Sequence, residues 1–360
     1  MSLLDWFRPR KPSIVPPPPE DPGPPLDAAG FLRSDLWFDQ PSAHATIDGF
    51  VRRGEIDEAM ADNFRHFVDK GYMVISLDLD DAVFDDIERT VDRLWEERPD
   101  NVAYAYQSLL KRFRDAEPEH RSPSCRIADL HTAGPEVLEL FLNRQVFDVI
   151  ERIFGQPAVA TQSLYFEWGS QQGLHRDPVY VQMKEPSHLL ATWLALEDIG
   201  PDCGPLIYVP GSHRLPYYQF EPGRYTVDFS RDGQDEIQKG GAWDEQQCRD
   251  AGLELEVLTC KRGDVLVWHH SLLHGGSFPT NPELTRKSFV VHYSTLSTMD
   301  RVHNSYLDAG DSDAVTHMTS DRILERDGCH GFDSPLNVQR AKSGEVDSEA
   351  DPGAGEGAAS

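Results

Sequence analysis

At 360 residues the chain exceeds the usual single-domain length but stays within reach of one β-rich domain decorated with helices, and its 39% hydrophobic and 26% charged residues allow a sizeable core without disulfide staples. Asp and Glu outnumber Lys and Arg by 61 to 34, a formal charge of -27 that repels phosphate backbones and anionic headgroups, so nucleic acid and membrane are not expected partners. The five cysteines, Cys125, Cys203, Cys248, Cys260 and Cys329, are odd in number and form no C-x-x-C pair. That usage, with no apolar secretory region and no bilayer-length stretch, predicts a cytoplasmic protein.

The first segment, residues 1–30, is dominated by proline, including Pro16 to Pro19, and reads as a disordered leader. Between Glu55 and Lys70 the apolar residues Ile56, Ala59, Met60, Phe64, Phe67 and Val68 recur at helical spacing, and Gly71 follows where a C-cap belongs. Tyr72 to Leu77 reads as a strand. Asp81 to Glu97 carries Val83, Phe84, Ile87, Val91, Leu94 and Trp95 on one stripe, which predicts a second helix. A third is expected from Pro135 to Phe154, with Gly155 after its end.

From Ala158 the period shortens. Strands are expected at Val159 to Trp168, Tyr180 to Met183, Leu189 to Leu196, Leu206 to Val209, Val265 to Trp268 and Ser288 to Ser294, separated by turns such as Pro210-Gly211 and Arg262-Gly263-Asp264. Helices first and short strands afterwards predict a mainly β jelly-roll barrel buttressed by N-terminal helices. Residues 31–335 are read as one catalytic domain, and residues 336–360, an acidic Gly/Ala tail, as disordered.

His175-Arg176-Asp177 sets an imidazole and a carboxylate two residues apart, which on an extended segment points both to one side. One metal ion could take both, and the later segment Trp268 to Gly276 offers His269, His270 and His274 as a third ligand. Two histidines and one carboxylate on one face of an octahedral ion leave three positions open, the arrangement of non-haem Fe(II) oxygenases. Alone, H-x-D is a common chance pattern and as readily a polar turn.

The ordered set of motifs carries more weight than any one of them. Gly173-Leu174-His175-Arg176-Asp177, Cys203-Gly204-Pro205-Leu206, Val209-Pro210-Gly211-Ser212-His213, Lys261-Arg262-Gly263-Asp264 and His274-Gly275-Gly276-Ser277, followed by Arg286, resemble the phytanoyl-CoA dioxygenase family, and Gly71 to Ile75 resembles its opening strand. The resemblance implies a cupin-like double-stranded β-helix, Fe(II), 2-oxoglutarate and O2. His175, Asp177 and His274 match the metal ligands, and Arg286 matches the residue that grips the distal carboxylate of 2-oxoglutarate, a task suited to a planar guanidinium. His274 also precedes two glycines that let backbone approach closely, which favours it over His269 and His270.

Trp193 matches a cosubstrate-contacting position, and Arg126 falls where some members carry a cosubstrate-binding lysine. Ser163 and Tyr165 alternate along the strand before H-x-D and are expected to line the same pocket. His213 is expected to support a turn, and His188 and His292 to be structural or exposed. The resemblance implies hydroxylation of a small organic substrate with release of succinate and CO2, since Asp177 fills the position that related halogenases leave to chloride. Rival readings are a non-catalytic jelly roll that binds a small molecule or partner, and a cupin-like metalloenzyme without 2-oxoglutarate; Arg286 separates the latter. Arg112, Arg114 and Arg121 are local candidates for holding an anionic substrate. Oligomeric state is not legible.

Overall fold

The structure is a computed structural model that describes residues 25–337 except 107–108, 182, 229–230, 302–319 and 321. Most of the expected leader and tail, residues 1–24 and those after 337, lie outside the described residues. Leu26, inside the expected leader, instead bridges Leu32 and is buried with Tyr217 and Tyr225, because an apolar side chain there has a surface to cover.

Helix α1 spans Ala43–Arg52 and α2 spans Glu58–Lys70. Asp57 opens α2 by accepting a hydrogen bond from the Met60 amide at 2.8 Å, and Gly71, at φ 85, closes it in the left-handed region where a side chain would be strained. Strand β1 (Tyr72–Ser76) follows, then α3 (Asp81–Glu97). The expected single helix from Pro135 to Phe154 is two: α4 (Pro135–Phe141) and α5 (Arg144–Phe154). Asn143 breaks the run by turning its side chain to cap the Val146 amide at 3.2 Å, a role that needs non-helical backbone.

The main sheet runs β1-β9-β6-β11-β5-β4-β2-β3. Its further members are β2 (Ala103–Tyr106), β3 (Leu109–Arg112), β4 (Cys125–Ala128), β5 (Ala158–Phe166), β6 (Leu190–Ala195), β9 (Asp264–His269) and β11 (Ser288–Thr295). A hairpin of β12 (Ile323–Arg326) and β13 (Cys329–Phe332) joins it through a short parallel contact between β13 and β5. The smaller sheet is β10-β7-β8, from His274–Gly276, Leu206–Tyr208 and Glu256–Val257. Between β7 and β8 lies α6 (Gln234–Asp250). No strand forms at Tyr180 to Met183 among the described residues; Pro178 helps set a 3-10 turn over Asp177–Val179 instead.

Alternation along each strand divides the core in two. Tyr165, Leu190, Leu194, Val265, Val267, Phe289 and Val291 face the helices, whereas Phe166, Ala191, Trp193, Leu266, Trp268 and Val290 face the smaller sheet with Leu206 and Tyr208. This jelly-roll layering, with α1 to α5 against the outer face of the main sheet and α6 beside the smaller sheet, agrees with the architecture expected from the sequence. The helix-side core also holds a polar network. Asp129, in left-handed backbone at φ 51, lies beneath Ser163, and the His131 ring stacks on Phe141 with centroids 3.8 Å apart.

Candidate active site

The two inner-face surfaces meet where the segment before Asp177 lies alongside β10. His175 and His274 exchange both backbone hydrogen bonds, His175 N to His274 O at 2.8 Å and His274 N to His175 O at 3.0 Å, which fixes the two residues side by side. Gly275 permits the approach, since a Cβ there would stand 2.7 Å from the Gln172 carbonyl oxygen. The two imidazole centroids are 4.5 Å apart.

Each ring has its tautomer set by a carbonyl. His175 Nδ1 donates to Gly173 O at 2.9 Å and His274 Nδ1 donates to Leu272 O at 3.0 Å, so both Nε2 lone pairs are free. They face one oxygen of Asp177: Oδ1 lies 3.9 Å from His175 Nε2 and 3.6 Å from His274 Nε2. The other oxygen, Oδ2, accepts a 2.7 Å hydrogen bond from Trp268 Nε1 and lies 3.7 Å from His292 Nε2. Burial alone would raise the Asp177 carboxyl, but His274, His292 and His175 outweigh it and hold the group well below the ordinary carboxylate range. Burial, reinforced by His274, pushes His175 down to about 4.

A second cluster, Asp39, His269 and His270, brings the same residue types together on the helix side of the sheet. Its hydrogen bonds run the other way. His269 Nδ1 accepts from the Ser271 amide at 3.0 Å, so its proton is on Nε2, which donates to Asp39 at 2.8 Å. A neutral His269 therefore has no lone pair left for a metal, and the cluster reads as a tie between the N-terminal segment and β9. His213 lies against the His269 ring, with centroids 4.9 Å apart, and bonds to Val68 O at 3.1 Å, and His188 links Asp35 to Thr295, so both are structural.

Arg286 is buried, with 2% of its surface exposed, and its guanidinium sits 5.6 Å from the Trp193 ring and 5.9 Å from Phe166. It makes only a long 3.4 Å bond to Gly204 O, and its Nε has no partner among the described residues. Burial lowers it to about 10. Trp193 Nε1 and Ser288 Oγ, on the same inner face, are also buried without partners. A buried cation and two neutral polar groups left open are the surroundings an incoming carboxylate would satisfy, so the residues present fit a 2-oxoglutarate molecule. Arg126, on the inner face of β4, forms no ion pair among the described residues; burial lowers it, and its charge reaches His175.

Ser163 and Tyr165 do not line this space. Both face the helices: Ser163 Oγ pairs with His131 Nδ1 at 2.7 Å, and Tyr165 joins the helix-side core. The two-residue period was right and its phase was not, because β5 is buried on both faces and polarity does not mark its inner side. Gln162, Leu164 and Phe166 are the inner residues. Of the expected anion trio, Arg121 is engaged by Glu167 and Asp92, and Arg114 lies beside Asp115.

His292, expected from the sequence to be structural or exposed, is buried beside the site. It stands between Gln162, at 3.1 Å, and Asp177, on the strand face that also carries Ser288 and Val290. Counting by twos from Arg286 would have found it.

A family model described as phytanoyl-CoA dioxygenase (PhyH) matches residues 67–287. The chain belongs to the phytanoyl-CoA dioxygenase family. It is thereby an enzyme of the iron(II)- and 2-oxoglutarate-dependent oxygenase type. Among solved structures, the apoform of EctD from S. alaskensis is similar over 87% of this chain and 95% of its own, at 17% identity and a TM-score of 0.51. The epimerase SnoN, in complex with Fe3+, alpha ketoglutarate and nogalamycin RO, is similar over 76% of this chain and 98% of its own, at 16% identity and a TM-score of 0.50. These likenesses establish the fold that this member of the phytanoyl-CoA dioxygenase family shares with them. No curated protein matches its sequence. Among the described residues of this family member, no helix is long and apolar enough to cross a membrane.

Proposed function

We propose that this enzyme hydroxylates a small organic substrate, with His175, Asp177 and His274 holding Fe(II) and Arg286 anchoring 2-oxoglutarate. The observation that carries the reading is the pairing of two free Nε2 lone pairs and one carboxylate oxygen with a buried arginine that has no anionic partner among the described residues. When bound, iron with 2-oxoglutarate and O2 supplies the oxidising power for C–H hydroxylation, with succinate and CO2 released.

The chain's own residues determine where that power is delivered. Gly173 O and Leu272 O keep both ligand imidazoles in the tautomer that presents Nε2. Trp268 occupies Asp177 Oδ2, with His292 Nε2 3.7 Å away, so the carboxylate would offer a metal one oxygen. Arg286 can grip the distal carboxylate with two parallel hydrogen bonds, and Trp193 beneath it excludes water. Arg126 is a second cation for either an inner carboxylate of the cosubstrate or a charged group of the substrate. The carboxylate at position 177 supports hydroxylation over halogenation, and five unpaired thiols support a reducing, cytoplasmic setting.

The test is spectroscopic and then chemical. Anaerobic Fe(II) and 2-oxoglutarate together should give a weak visible charge-transfer band that neither gives alone, and succinate should form once air is admitted. An unchanged spectrum with iron bound would leave the 2-oxoglutarate reading without support.

A further inference from the structure

Resting on the reading that His175, Asp177 and His274 hold iron, we infer that helix α6 is a positioning element for that centre, latched to it by the ion pair between Arg176 and Asp244. The evidence lies in the residues adjacent to the ligands in sequence. Arg176 separates His175 from Asp177, and its extended backbone, φ -114 and ψ 135, directs its side chain away from the side the ligands occupy. That side chain is fully buried. Its Nη1 donates to Leu215 O at 2.9 Å, its guanidinium carbon lies 4.6 Å over the Tyr217 ring, and Nη2 stands 3.0 Å from Asp244 Oδ1 on α6, close enough for an ion pair though out of line for a hydrogen bond.

The same helix reaches the other two neighbours. Cys248, one turn after Asp244, packs in one cluster with Leu273, which precedes His274, and with Leu174, which precedes His175. Every ligand thus has a flanking residue in either the ion pair or the apolar cluster that α6 joins. The buried face of α6 is otherwise meagre, with Gly240 as its third buried residue, packed near Tyr218 and Phe220. A helix that buries so little yet commits a largely buried ion pair to the ligand segment acts as a splint for it.

The experiment compares Fe(II) affinity, by anaerobic calorimetry on the full chain, with amide hydrogen exchange over residues 173–181. Asp244→Asn leaves Arg176 unpaired and should weaken Fe(II) binding by roughly 10–100-fold, the usual cost of losing a supporting partner, while exchange over 173–181 speeds up. Asp244→Glu, which keeps the charge, should recover much of the loss. Glu245→Gln is the control: it breaks the exposed Arg249 ion pair on α6 itself and should change neither metal affinity nor exchange. If Asp244→Asn does not fold, Cys248→Ala loosens the apolar side of the same helix's packing without touching a charge and should give a smaller loss in the same direction. Wild-type iron affinity and exchange in Asp244→Asn, or in Cys248→Ala where that replaces it, overturns the inference. Asp177→Ala separates the two claims. If it keeps its iron, or the wild type binds none, the ligand assignment fails and this inference with it; if it loses iron while the α6 variants do not, only the positioning role fails.

Discussion

Trp268 Nε1 donates a 2.7 Å hydrogen bond to Asp177 Oδ2, so β9 holds one half of the carboxylate and leaves the other half to the two histidines. A carboxylate divided in this way cannot rotate to chelate a metal through both oxygens without giving up the indole. The proposed ligand set is therefore pre-shaped by the sheet itself.

His175→Ala and His274→Ala should each weaken Fe(II) binding by more than the roughly 10–100-fold typical of losing a supporting residue. His269→Ala and His270→Ala should keep iron. His269→Ala should instead cost about 1–3 kcal/mol of stability, because Asp39 loses its partner. Calorimetric titration beside urea denaturation checks both, and a His269→Ala protein that loses its iron would move the metal site to the helix side of the sheet.

Arg286→Ala should leave iron affinity unchanged and weaken 2-oxoglutarate by about 1.5–3 kcal/mol, the worth of a hydrogen bond to a charged group. Arg286→Lys should fall between, since an ammonium keeps the charge and loses the fork. Titrating the cosubstrate into iron-loaded protein measures this. Normal binding by Arg286→Ala would transfer the anchoring role to another cation, with Arg126 first.

Two serines on neighbouring strands should part company. Ser163→Ala removes the partner of His131 and should lower stability by about 1–3 kcal/mol with cosubstrate affinity untouched. Ser288→Ala should do the reverse, its hydroxyl being buried on the inner face without a partner until cosubstrate arrives. A loss of 2-oxoglutarate affinity in Ser163→Ala would contradict the face on which that residue lies.

Burial raises the Asp129 carboxyl to about 7, against the hydrogen bonds from Ser163 and Ser334 that lower it, and Asp333 adds to the rise. The folded state therefore holds a proton that the unfolded chain releases near pH 4. The stability this group contributes is full below pH 4 and is lost as pH rises through 7, at a rate of up to about 1.4 kcal/mol per pH unit. Asp129→Asn cannot titrate and suits the left-handed backbone, so its stability relative to wild type should improve between pH 5 and pH 8. Urea denaturation of both proteins at the two pH values tests this; an equal gap at each would mean that Asp129 is ionised throughout.

The proposed ligands and cosubstrate arginine were legible because their chemistry leaves a local mark: H-x-D on extended backbone, a histidine before paired glycines, and an arginine beyond the next turn. Phase was not legible. Ser163 and Gln162 differ by one position on a strand buried on both sides, and only packing against α4 and α5 or against the smaller sheet distinguishes them. Strands β2, β3 and β4 escaped notice because runs such as Ala103-Tyr104-Ala105-Tyr106 and Cys125-Arg126-Ile127-Ala128 are short and of mixed propensity. Helix α6 escaped for the opposite reason, since a helix that buries only Gly240, Asp244 and Cys248 leaves no apolar stripe to read.

The edge of the main sheet has a consequence for how the molecule comes into being. Tyr72 on β1 pairs with Trp268 on β9, in antiparallel register through Ser76 and Asp264. During synthesis β1 leaves the ribosome about 200 residues ahead of its partner, a wait of roughly 10–40 s at about 5–20 residues per second. Until then the nascent strand, with Met73 and Ile75 among its residues, has α2 beside it and no second strand, so it is a segment on which a chaperone could act. The arrival of β9 pairs one side of that strand and delivers Trp268 to Asp177 in the same event. Folding errors at the edge should therefore appear as poor metal loading as well as aggregation.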